Sequence, residues 1–127
     1  MPQQQAIRIF NQTRDRALAE RGELARSFWA RGRGLMGRAE LPASYALIIY
    51  PEWSIHTFFM RVAIDVLFVD RGDCVVGLRV AMPPGRPFAG VAPWRGRYVI
   101  EMPAGVIAMT GTALGDQLAL TPHPDKT

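Results

Sequence analysis

The residues of this chain that could do chemistry gather in its middle and in the segment that follows. Ser54 to Asp70 reads SIHTFFMRVAIDVLFVD and holds His56, Arg61, Asp65 and Asp70. With Glu101, the first three form the polar set whose types best suit catalysis. If a strand Ile55–Met60 pairs with a strand Ile64–Val69 through a turn at Arg61–Ala63, His56 ends up beside Asp65. An imidazole bonded to a carboxylate can take up and return a proton, which is general-base work. The same pair, buried, would instead fix strand register, and the sequence favours that structural role.

A second group lies in Ala81–Arg97, which packs four Pro and three Gly into 17 residues. Arg86, Phe88, Trp94, Arg95 and Arg97 sit there, with Trp53 upstream. Aromatic faces stack on sugars, bases or peptide groups, while guanidinium groups add forked donors. Compact domains seldom carry loops beyond about 12–15 residues unless the loop is functional or mobile. The first functional reading is therefore a non-catalytic module that binds a small molecule or a protein through this loop. Capping of the core ends by the same aromatics is its structural alternative. An enzyme using His56 with Asp65 or Glu101 comes second.

Other chemistries find little to work with. Zinc takes three or four convergent His, Cys or carboxylate ligands, and the chain has two His and one Cys, with His123 in the expected tail. Asp65, Asp70 and Asp73 could be imagined around magnesium or calcium, but strand-end and turn roles account for them. Gly32, Gly34 and Gly37 have the spacing of a dinucleotide fingerprint without the strand that should precede it. No metal or cofactor is expected. The Arg71-Gly72-Asp73 triplet is explained by a hairpin turn.

The elements that must position these residues read as mostly extended. Strands are expected at Ala6–Phe10, Tyr45–Tyr50, Ile55–Met60, Ile64–Val69, Cys74–Val80, Tyr98–Met102 and Gln117–Leu120. Five successive apolar residues between Asp65 and Asp70 mark a strand buried on both faces. Asp70 to Asp73 should turn the hairpin, with Gly72 free to take the left-handed conformation. Glu23–Arg33 has helical spacing, Leu24 with Phe28 and Ala25 with Trp29. Gly37 would stop it. Pro103 would open a second short helix that Gly111 closes. The expected fold class is mainly β, a compact antiparallel sandwich, jelly-roll-like or barrel-like domain with one or two short helices. One domain of residues 1–127 is expected, with a core near 5–120 and a loose tail from Thr121.

Composition agrees with an ordinary globular protein: 127 residues, 49% hydrophobic and 20% charged. The longest stretch without charge, Met102–Gly115, is 14 residues, short of the roughly 20 that cross a bilayer. MPQQQAIRIF lacks the apolar core of a secretory signal, and the single Cys74 suits a reducing compartment. A cytoplasmic location is expected. Residues 1–38 carry eight Arg against three acids, and the rest is nearly balanced, together giving +4. Such an Arg-rich start could meet nucleic acid or an anionic surface. Arg supplies 14 of the 15 basic residues throughout, so a solvated basic face is the simpler reading.

The motifs together resemble domain-of-unknown-function family 192. Phe28-Trp29 and Arg33-Gly34-Leu35-Met36-Gly37-Arg38 resemble its "GLM-x-R" segment. Ser54-Ile55-His56-Thr57-Phe58-Phe59-Met60 is similar to the "SIHTFFM" variant of its central motif. Ile64 to Asp70 resembles its "ID-x-x-F-x-D" strand, Tyr98 to Gly105 its "VLE-x-PAG" element, and Gly115-Asp116 its closing "GD". The likeness runs in order from about residue 7 to 120. It implies a compact β-sandwich or jelly-roll-like domain with small helices, and brings no established function. The chain departs from the family at Tyr45-Ala46-Leu47-Ile48, where many members have "GMLF". It departs again at Phe59-Met60-Arg61-Val62-Ala63, where "WMKNT" is frequent.

Overall fold

The computed structural model describes residues 6–25, 41–58 and 60–126. The strands are β1 (Ile7–Asn11), β2 (Arg16–Ala25), β3 (Tyr45–Ile49), β4 (Ser54–Ile55), β5 (Ile64–Val69), β6 (Val75–Met82), β7 (Ala89–Gly90), β8 (Tyr98–Pro103) and β9 (Leu118–Thr121). A short helix, α1 (Val106–Thr110), precedes β9, and a 3-10 turn at Pro124–Lys126 follows it. Seven strands form one sheet in the order β6-β5-β8-β3-β2-β1-β9, and β4 pairs with β7 apart from it.

The mainly β fold expected from the sequence is thus present in its barrel-like form, a curled half-barrel. One pair, β2 with β3, runs parallel. The two edges of the sheet meet at one end. Cys74 bridges Gln117, and amides of Val75 and Leu118 donate to the carbonyls of Asp116 and Asp73 at 2.9 and 2.8 Å.

Burial explains the apolar character of the central strands, in which Asp65 and Glu101 are the charged exceptions. Tyr45–Ile49, Ile64–Val69 and most of β8 are buried at every position. Their alternate side chains feed two separate cores. One core draws on all seven strands and on Ile107 of α1, with Ile9, Ile48, Leu67, Ile100 and Met102 at its centre. The other collects Leu47, Ile49, Ile64, Val66, Phe68 and Val99 beneath Ile55, Met60 and Ala89. The β4–β7 ribbon and its flanks therefore roof the second face.

Several expectations need correction. Residues 23–25, read as the start of a helix, extend β2, because Glu23, Leu24 and Ala25 pair with Leu47, Ile48 and Ile49 of β3. The remainder of that helix, with the "GLM-x-R" segment and the three Gly, lies outside the described residues, as does Phe59. The expected strand Ile55–Met60 stops after Ile55, opposite Ala89, where its partner β7 begins. Thr57 then folds the chain, and the Met60 amide donates back to its carbonyl at 3.2 Å. At the Asp70–Asp73 turn the left-handed residue is Asp73, at φ 64°, and not Gly72. The Asp70 carboxylate accepts from the amides of Gly72 and Cys74, both at 2.9 Å, and sets that turn. Pro103 closes β8 instead of opening α1. Gly105 precedes α1 at φ 107°, and Gly111 caps its end as expected.

Candidate functional site

The Ala81–Arg97 segment is long but firmly held. Thr57, fully buried, donates its hydroxyl to the Pro83 carbonyl at 2.7 Å and accepts from the Arg86 amide at 2.8 Å. Its backbone pairs with Gly85 and Arg86, each at 2.9 Å. A second pin lies at Trp53, whose carbonyl accepts from the Val91 amide at 3.1 Å, while the Glu52 amide donates to the Arg97 carbonyl at 3.0 Å. Glycine makes this fit possible. A Cβ on Gly96 would stand 2.9 Å from that of Trp53 and 2.8 Å from Val91, and one on Gly90 would meet Ser54 at 2.8 Å. Between the pins, the Arg95 and Gly96 amides donate to the Ala92 carbonyl at 2.9 and 3.2 Å. This tight turn lifts Trp94 out, 86% exposed.

Two clefts open along this segment. The first, about 470 Å³, is lined on one side by Asp70, Arg71 and Gly72 and on the other by Trp94, Arg95 and Arg97. The second, about 440 Å³, is lined by Arg79, Val80, Met82, Arg86 and Phe88 among others. The six binding residues expected from the sequence are therefore split. Trp94, Arg95 and Arg97 serve the first cleft, and Arg86 and Phe88 the second. Trp53 touches both walls: its Cβ backs Gly96, and its ring meets that of Phe88 edge-on at 6.2 Å.

Charge in the first cleft is mostly positive, three guanidinium groups against Asp70. Arg97 is oriented from behind. Its Nε donates to the Tyr50 hydroxyl at 2.9 Å, and the guanidinium lies 4.8 Å over the Tyr50 ring.

The expected catalytic set does not assemble in the way the strand pairing suggested. Residues 54–55 pair with 89–90, while β5 pairs with β6 and β8. Asp65 is fully buried and accepts from three backbone amides: Ala81 at 2.8 Å, Gly105 at 3.1 Å and Ile107 at 2.8 Å. It thereby ties α1 and the end of β6 to β5, and relieves amides that α1 cannot satisfy itself. Glu101 lies opposite Val66 in the β5–β8 register and opposite Leu47 in β3. It therefore faces the other side of the sheet from Asp65, whose neighbours Val66 and Ile64 share the Glu101 face. His56 is half-buried with its ring 5.2 Å from Phe58, and Arg61 is exposed.

Two polar networks escaped the sequence reading. Asp73 accepts from the Tyr98 hydroxyl at 2.7 Å and from His123 Nε2 at 2.8 Å. His123 Nδ1 in turn accepts from the Asp125 amide at 3.1 Å. Both ring nitrogens are thus occupied, and His123 seats the 3-10 turn on the hairpin. Burial above all, and then the bond to Asp73, pushes the Tyr98 phenol up. The tail expected to be loose is in this way docked as far as the 3-10 turn. The second network ties the end of β1 and the turn after it to the segment that leads into β9. Asp116 receives Arg14 through Nε at 2.8 Å and Nη2 at 3.2 Å, Asn11 at 3.0 Å and the Ala113 amide at 3.0 Å. No local pattern announces either network, since each joins segments far apart in sequence.

With this geometry in hand, the protein can be placed. Its residues 9–120 match the family model DUF192, described as Uncharacterized ACR. The chain belongs to this family. Among its relatives, a UPF0127 protein of Thermococcus sibiricus is 35% identical over 115 residues, covering 87% of this chain and 72% of that one. A UPF0127 protein of Pyrococcus horikoshii is 34% identical, covering 87% and 96%. Among solved structures, a protein of unknown function from Novosphingobium aromaticivorans superposes with a TM-score of 0.74 at 22% identity, over 89% of this chain and 82% of that one. Another solved structure, described as a putative transcription regulator from Sinorhizobium meliloti 1021, gives 0.74 at 20% identity, over 92% and 93%. These likenesses show the fold. No helix among the described residues is long and apolar enough to cross a membrane.

Proposed function

We propose that this chain is a non-catalytic binding module whose ligand, a small molecule or a protein segment, enters the cleft between the Asp70–Asp73 turn and Pro93–Arg97. Trp94 carries the reading. An indole left 86% exposed on a backbone tied down at both ends contributes little to the core, and aromatic anchors on rigid supports are what binding surfaces use. Ordering the loop in advance also removes part of the entropic cost of capture. The single thiol suits a reducing compartment, and we place the module in the cytoplasm.

An enzyme built on His56 with Asp65 gains no support from the geometry, since three amides occupy the carboxylate. The nucleic-acid reading weakens at two residues: Arg8 pairs with Glu20 at 3.1 Å and Arg14 with Asp116 at 2.8 Å. A thermal-shift screen of the wild-type protein against a metabolite library, with hits retested on Trp94→Ala, decides the matter. The variant should melt as the wild type does and lose the hits. Hits that bind the variant undiminished refute the cleft reading.

A further inference from the structure

We infer that the first cleft selects a small organic anion that also carries a flat ring. The inference deepens the cleft reading and rests on it.

Three guanidinium groups and one carboxylate line a single space of about 470 Å³, which is within the range of small-molecule sites. The carboxylate is already spent in part, because one Asp70 oxygen accepts from both Gly72 and Cys74. Arg97 gives Nε to Tyr50, which leaves its two Nη groups for a guest. Arg71 and Arg95 make no side-chain hydrogen bond or ion pair among the described residues. Like charges gathered in a cleft repel, and an anion that enters relieves the repulsion. Guanidinium forks match carboxylate and phosphate oxygens in pairs, so the cleft is suited to either.

Trp94 supplies the second requirement. It lies in the wall that carries Arg95 and Arg97, and its exposed face gives a flat ring a surface to stack on. A bare anion would leave that face wet, and a neutral ring would leave the guanidinium groups uncompensated. A molecule carrying both features uses the whole cleft.

Phosphate and carboxylate are two sources of the same chemistry, and calorimetric titration of the wild-type chain separates them. The probes are adenosine monophosphate and 2-naphthoate, with adenosine, inorganic phosphate and acetate as partial ligands. At least one ring-bearing anion should bind with a Kd below about 1 mM, and at least tenfold tighter than every partial ligand. Which of the two does so names the source. Arg95→Gln should then raise that Kd at least tenfold while melting as the wild type does. Should it fail to fold, Arg71→Gln takes its place. The inference is overturned if neither ring-bearing anion exceeds the partial ligands tenfold, or if binding survives loss of the arginine. If it falls while Trp94→Ala still abolishes capture of neutral library compounds, the cleft reading stands without it.

Discussion

Replacing Asp116 with Asn tests the polar tie between the β1–β2 turn and the approach to β9. Its carboxylate is 3% exposed and takes four hydrogen bonds, two from Arg14 and one each from Asn11 and the Ala113 amide. The Arg14 guanidinium, helped by Asn11 and that amide against the opposing cost of burial, pulls the carboxyl from 3.8 down to about 2. Each pH unit between folded and unfolded values is worth about 1.4 kcal/mol. That gap would give a little over 2 kcal/mol, and solvent screening of Arg14, which is 43% exposed, reduces it to about 1–2 kcal/mol. Because the folded value is the lower one, the unfolded chain binds more protons, and the contribution is full above about pH 4–5 and drains as pH falls through about 2. Urea melts of both proteins at pH 7, 5, 3.5 and 2.5 measure it. Asp116→Asn should cost about 1–2 kcal/mol at pH 7, and the difference should narrow steadily toward pH 2.5. A difference equal at pH 7 and pH 2.5 would show that the charge of this carboxylate does not hold the two segments together.

Asp65→Asn replaces an acceptor for three amides with a group that must turn a donor toward one of them, and should cost about 2–3 kcal/mol in urea melts while leaving ligand affinity at the Trp94 cleft unchanged. Thr57→Val removes a buried hydroxyl with two partners, Pro83 and Arg86. It should lower stability by about 1–3 kcal/mol and speed hydrogen exchange at Gly85 and Arg86, with β8 unaffected. Gly96→Ala forces a methyl against Trp53 and Val91, so it should weaken ligand binding through displacement of the Trp94 turn, read as a raised Kd for whatever ligand the screen returns. Cys74 has its thiol pushed up by burial first and then by Asp70 and Asp116. It should react with iodoacetamide at pH 7.5 more slowly than in urea-unfolded protein, because less of it is thiolate; equal rates would contradict that.

The strands buried on both faces were the legible part of the fold. Tyr45–Ile49, Ile64–Val69 and Tyr98–Met102 carry long apolar runs because neither side of them meets water. β2 was illegible for the opposite reason. Its charged outer positions and the spacing of residues beyond Leu24 imitate a helix, and its ladders, antiparallel with β1 and parallel with β3, make it a strand. Ile55–Met60 looked like a strand from its apolar residues, yet Thr57 bonds to a segment nearly thirty residues later and bends it. One wall of the first cleft was readable as composition, in Trp94, Arg95 and Arg97. The facing wall, Asp70 to Gly72, belongs to another hairpin, and nothing local says that the two meet. The Asp73–Tyr98–His123 cluster needs three remote pieces of chain and leaves no trace in any short window.

The antiparallel partnership of β1 with β9 also governs timing. During translation the first strand emerges about a hundred residues before the one that will cover its outer edge. Until the ribosome has released β9, that edge stands bare and Asp116 is not there to receive Asn11 and Arg14. Such a seam favours late, all-at-once consolidation over stepwise growth from the leading end.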